Sequence, residues 1–145
     1  MTARANRPLL VAGALSALAA LLHIGVIFGG PDWYRFFGAG EEMAQMAAKG
    51  DPYPAIVTVF IASVLFTWAA YAFAGAGLIR RLPLMRTALT AITAVYLIRS
   101  LAPLGLWLFA LGPVTPFWIW SSAICFGYGL AYLIGTRRAW QGLSA

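Results

Sequence analysis

Four apolar stretches, near 8–28, 55–79, 87–111 and 117–135, approach or exceed the roughly 20 residues that cross the hydrocarbon core of a bilayer. In that medium a segment must satisfy its backbone N–H and C=O groups internally, so each stretch is expected to be a helix. Hydrophobic residues make up 62% of the 145 positions and charged residues only 10%. A water-soluble domain of this length could not bury so much apolar side chain. The expectation is an all-α fold, a four-transmembrane-helix bundle. Its connections are short enough that 1–145 forms a single integral membrane domain, with an outer connection over 29–54.

Charge placement supplies an orientation. Arg4 and Arg7 precede the first span, Arg80, Arg81 and Arg86 separate the second from the third, and Arg137 and Arg138 follow the fourth. Only Arg35 and Lys49 lie in the connection 29–54, which also holds all four acids: Asp32, Glu41, Glu42 and Asp51. The positive-inside rule then places both termini in the cytoplasm and 29–54 outside. The net charge of +6 is thus a topology signal. It is not the clustered basic face of a nucleic-acid binder, and nucleic acid is excluded as a partner. Membrane lipids are the expected surroundings. Arg4 and Arg7 followed by an apolar run and Ala17-Leu18-Ala19 have the outline of a signal peptide, but the run continues through Phe28, which favours an uncleaved span. The single cysteine, Cys125, lies inside the fourth stretch and reads as a small hydrophobe.

The third stretch carries the chain's most costly residue. Arg99 lies in its middle, where a guanidinium needs protein partners or water and cannot escape by deprotonation. Pro103, four residues on, removes the bond that the carbonyl of residue 99 would have accepted, so charge and backbone defect coincide. Thr87, Thr90, Thr93 and Tyr96 form a polar stripe leading up to it.

The remaining segments have their own signals. His23, the only histidine, sits about 7 Å below the outer end of the first span, counting 1.5 Å per residue back from Phe28. Gly29-Gly30-Pro31 ends that helix, and Asp32, Trp33, Tyr34, Arg35, Phe36 and Phe37 form an aromatic cluster suited to the membrane–water boundary. Residues 40–50 read as a short amphipathic outer helix, with acids in the first turn, Lys49 in the last and Gly50 beyond it. Met43, Met46 and Ala47 share one face, so this helix is expected to act as a lid or belt. Asp51 caps the second span, whose inner half is rich in small residues around Trp68 and Tyr71. In the fourth, Thr115 is the expected cap, Trp118 and Trp120 mark the interface, and Gly127 with Ala131 suggests a helix crossing.

The spans thus hold one permanent cation and no carboxylate. Three sources of balance are open: acids of the outer connection, a bound anion, or neutral acceptors. The neutral acceptors are Tyr96, Ser121, Ser122, His23 and the carbonyl freed near Pro103. A ligand-binding pocket would be lined by Arg99, His23, Tyr96, Trp68, Tyr71, Ser121 and Ser122. Asp32, Trp33, Arg35, Glu41, Glu42 and Asp51 would form a lid or counter-charge. No metal set is present, and one histidine cannot supply two axial haem ligands, so the sequence names no cofactor. Recognised catalytic motifs are missing as well: no nucleophile elbow, phosphate loop or pair of intramembrane acids.

The stretches HIGVIFGGPDWYRFFGAGEE and YLIRSLAP, with the four-span layout, resemble those of small bacterial inner-membrane proteins of the DoxX-like type. That resemblance implies a multi-pass location in a bacterial inner membrane and carries no activity to particular residues. Three functions follow from the residues. The first is binding of an amphipathic or anionic apolar ligand, lipid or quinone in type, beside Arg99 and His23, with the chain serving as an accessory subunit of a larger membrane complex. The second is a membrane-embedded enzyme on a lipid or quinone, with His23 as acid/base and Arg99 as electrophilic stabiliser. The third is a small transporter or channel assembled as a homo-oligomer.

Overall fold

A computed structural model describes residues 6–143, so Arg4 lies outside the described residues. All regular structure among them is helical. The helices are α1 (Arg7–Gly29), α2 (Pro31–Phe36), α3 (Glu41–Ala48), α4 (Tyr53–Gly75), α5 (Met85–Ser100), α6 (Ala102–Leu108) and α7 (Pro116–Ala139), which runs into a turn of 3-10 helix at Trp140–Leu143. Among the described residues three segments are long and apolar enough to cross a membrane: Arg7–Gly29, Tyr53–Gly75 and Pro116–Leu143. A fourth exists if α5 and α6, bent by 48°, count as one span. Large apolar side chains such as Leu18, Phe60, Ile98 and Ile134 stay exposed along these helices, as lipid-facing positions do.

Where the helices stop has local causes. The third apolar stretch is not the continuous helix expected over 87–111. Pro103 has no N–H to give to the carbonyl of Arg99, and α5 ends before it at Ser100, with the Leu101 N–H on the Ile98 carbonyl at 3.0 Å. Pro103 then sits in the first turn of α6, where its missing donor costs little. The carbonyl of Arg99 is taken up by a backbone N–H at this cap, so it is not left free as an acceptor. Helix α4 stops at Gly75, short of the expected 79. Gly77, at φ +81°, turns the chain so that Leu78 N–H reaches the Phe73 carbonyl and Gly77 N–H the Ala74 carbonyl. This is a Schellman cap, which a glycine at that position favours. In 29–54 the aromatic cluster is itself helical, so the connection holds two short helices where one was expected. Thr115 occupies the cap position of α7 in extended conformation, but its side chain makes no capping bond.

The chain divides into two compact units. One runs from Ala17 to Phe66. There Val26, Tyr34 and Ala44 are buried together, with Phe37, Met43 and Ala47 against them, so α2 and α3 pack through the face that Met43 and Ala47 share. The hydroxyl of Thr58 donates to the Pro54 carbonyl at 2.7 Å and lies 3.4 Å from the phenol of Tyr34. The Asp51 carboxylate accepts from the Tyr53 N–H at 2.8 Å, the expected cap of α4.

The other unit combines the described residues up to Ser16 with those from Thr67 onward. Helices α5 and α7 run antiparallel in it: Arg99 meets Ser121 and Ser122 near one end of the pair, and Arg86 meets Trp140 near the other. Glycines set how closely its helices approach. A Cβ on Gly135 would lie 2.6 Å from Leu9 Cγ, and one on Gly129 would lie 2.6 Å from Leu97 Cδ2. The close contacts of α7 are therefore at Gly129 and Gly135. Gly127, the expected crossing point, has open space around it.

Candidate functional site

Arg99 projects from the last turn of α5 onto the start of α7 and is half-buried. Its Nη1 donates to Ser122 Oγ at 3.0 Å and its Nη2 to Ser121 Oγ at 3.2 Å. The guanidinium carbon lies 4.7 Å from the ring centre of Trp118, a cation–π arrangement. Two of its five N–H donors go to neutral hydroxyls, one π-face meets an indole, and no carboxylate is among its partners in the described residues. Ser121 and Ser122 are thus the acceptors, as two of the sequence-named candidates. Trp118, read from the sequence only as an interface residue, completes the site. It lies three and four residues before the serines, one turn along α7, and that spacing was the available signal.

Tyr96 and Trp68, expected in the same pocket, belong to a separate polar chain within this unit. Tyr132, fully buried, donates its phenol to the Trp68 carbonyl at 3.1 Å. Its one proton is thereby committed. The 2.8 Å bond between Ser16 Oγ and the Tyr132 oxygen must then be donated by Ser16, and the 3.0 Å bond between Tyr96 and Ser16 donated by Tyr96. The result is a single-direction relay, Tyr96 to Ser16 to Tyr132 to the carbonyl of residue 68, with each hydroxyl satisfied. Around it Tyr96 packs edge-on to Trp68 at 5.1 Å and stacks on Tyr132 at 5.5 Å, with Tyr128 at 5.3 Å. Tyr132 was not among the candidates, although its spacing of four from Tyr128 puts both on one face. Tyr71 is elsewhere again. Its phenol donates to the Pro83 carbonyl at 3.2 Å, fastening the turn before α5.

In the 17–66 unit, His23 Nδ1 lies 2.8 Å from the Ala19 carbonyl of its own helix. A carbonyl only accepts, so Nδ1 donates this bond, and Nε2 has no hydrogen-bond partner among the described residues. Two of the acids named as a lid, Glu41 and Asp32, serve Arg35. Its Nε and Nη2 form a fork on Glu41 at 2.7 and 2.9 Å, and its Nη1 donates to Asp32 at 2.9 Å. The hydrogen bond from Arg35 holds the Glu41 carboxyl below its usual range, with Gln45 adding to it, and the same pairing raises Arg35. Glu42 is exposed, and Trp33 packs against Phe37. No family model, curated protein or solved structure matches this chain.

Proposed function

We propose that this chain is a multi-pass protein of a bacterial inner membrane that binds an amphipathic anionic or quinone-like molecule at Arg99. In this reading the bent α5–α6 pair serves as one of four spans, and both termini are cytoplasmic. The observation that carries it is the company Arg99 keeps. A permanent cation within a span is partnered by two hydroxyls and an indole face, with no carboxylate among the described residues to balance its charge. The break at Leu101 supports it further, since interrupted helices with turned-out ends are where membrane proteins build ligand sites. The arrangement of charges supports the orientation: Arg7, Arg80, Arg81, Arg86, Arg137 and Arg138 lie in segments assigned to the cytoplasm, and the acids lie in the connection between α1 and α4.

The Nε2 of His23, unpartnered among the described residues, favours a second reading, an enzyme on a lipid or quinone that uses this nitrogen as a base. Extraction of the full chain in mild detergent, followed by mass spectrometry of what co-purifies, separates the possibilities. Arg99→Leu is expected to insert and fold while losing the retained species. An unchanged extract overturns the binding reading. Turnover of the extracted molecule that is lost in His23→Ala makes the chain an enzyme.

A further inference from the structure

The arginines at the other end of the α5–α7 pair are of two kinds. Arg86 is tied into the fold: its Nε and Nη2 donate to the Trp140 carbonyl at 3.1 and 2.8 Å, and its guanidinium lies 4.8 Å above the Trp140 ring. Arg7, Arg80, Arg81 and Arg138 have no such tie. Among the described residues none of the four makes an ion pair or hydrogen bond, and all four line one open cleft of about 800 Å³.

The cleft is built by parts of a single unit. The first turn of α1 supplies Arg7, the turn after α4 supplies Arg80 and Arg81, and the end of α7 supplies Arg138. Asn6 closes one wall by donating its amide to the Gly135 carbonyl at 2.7 Å. Gly77, in its left-handed turn, brings backbone to the edge, and Pro8, Ile79, Ala139 and Leu143 give apolar sides. No acid lines it.

Long arginine side chains repel one another and are free to spread into water, so four around one concavity make a focused positive field. We propose that this cleft is a binding site for a phosphate-bearing ligand. Guanidinium forks match phosphate oxygens in pairs, and four forks exceed what a single carboxylate can use. The volume falls in the range of roughly 300–1,000 Å³ that holds an organic ligand, which is more than a lone ion requires. The mixed walls suit a molecule with an apolar part. Basic clefts at the ends of membrane spans commonly receive anionic lipid headgroups. A soluble organophosphate offers the same oxygens. The site is separate from Arg99, which lies 13 residues beyond Arg86 along α5, or about 20 Å at 1.5 Å per residue.

The test uses the full chain in neutral detergent and native mass spectrometry, with phosphatidylglycerol, phosphatidylcholine and inorganic pyrophosphate as probes. Phosphatidylglycerol is expected to be retained over phosphatidylcholine and displaced by pyrophosphate, which identifies a lipid source. Pyrophosphate bound without lipid retention upholds the phosphate site and makes its ligand soluble. Arg81→Gln is expected to weaken binding about tenfold or more, the scale of a lost charged hydrogen bond. Arg137→Gln removes the same charge outside this cleft and is expected to cost less than about twofold by screened attraction alone. Equal losses in the two variants, or no preference of the wild type for either anion over phosphatidylcholine, overturn the proposal. Wild-type displacement by pyrophosphate reads the site even where a variant fails to fold.

Discussion

Arg35 and Arg99 carry the same side chain and solve the same problem with opposite materials. Arg35, on α2 in the 17–66 unit, is exposed and gathers two carboxylates, Glu41 in a two-pronged fork and Asp32 beside it. Arg99, at the end of α5 in the other unit, gathers two serine hydroxyls and the face of Trp118. Where water is at hand, acids are inexpensive to place and their attraction is screened, so the Arg35 cluster organises two short helices without adding much stability. A carboxylate beside Arg99 would bring its own desolvation cost into a membrane-length segment. Hydroxyls and an indole avoid that cost, and they leave a cation able to attract a further anion.

The largest expected effect tests whether the serines are there because of the cation. Ser121→Ala with Ser122→Ala leaves a half-buried guanidinium without its two acceptors and is expected to cost about 3 kcal/mol, the scale of two charged hydrogen bonds partly offset by water. The same pair of changes in an Arg99→Leu background is expected to cost under about 1 kcal/mol, because no charge remains to satisfy. Equal costs in both backgrounds, measured by unfolding in detergent, would show that the hydroxyls serve α7 alone.

An intermediate effect separates a neutral polar network from the charged one. In the relay, Tyr132 both accepts and donates, whereas Tyr96 only donates. Tyr132→Phe is therefore expected to cost about 2 kcal/mol by removing the acceptor of Ser16 and the second donor to the Trp68 carbonyl, and Tyr96→Phe about 1 kcal/mol. The reverse order would overturn this assignment of donors and acceptors.

The smallest effect lies at Arg35. Its hydrogen bond holds the Glu41 pKa below the ordinary value, so the pairing is fully present above the unfolded carboxylate pKa of about 4.3 and fades as pH falls through the lower folded value. Amide exchange in α2 and α3, corrected for pH, is expected to quicken below pH of about 4, and more weakly in high salt, while amides around Arg99 keep their protection. Loss of protection at both places together would end the contrast between the two arginines.

Much of this was legible in the residues. Apolar length marks out α1, α4 and α7, since lipid-compatible helices are recognised by composition alone. Arg99 and its serine acceptors were nameable too, because the spans contain so few polar groups that the candidates are quickly exhausted. The break at Leu101 was half legible: Pro103 announced the lost bond, but not that the helix would end before it and restart at 48°. The surroundings of Tyr71, Trp68 and Tyr96 were not legible, for a different reason. An aromatic ring in a span fits a pocket, a packing layer or a lipid face equally well, and only the neighbouring helix decides which. The tyrosine relay depends on Ser16 and Tyr132, which are 116 residues apart. No local spacing encodes such a pair.

What the sequence alone determined is the helical character, the membrane-length segments and the scarcity of charge in them, because hydrophobicity and backbone satisfaction act residue by residue along a chain. What only the tertiary structure decided is which groups meet: the serines and indole at Arg99, the acids at Arg35, the four unpaired arginines around one cleft. Those pairings follow from the register and approach of packed helices, set by contacts such as Leu9 on Gly135 and Leu97 on Gly129. Such distances arise between segments far apart in the chain, where composition has no say.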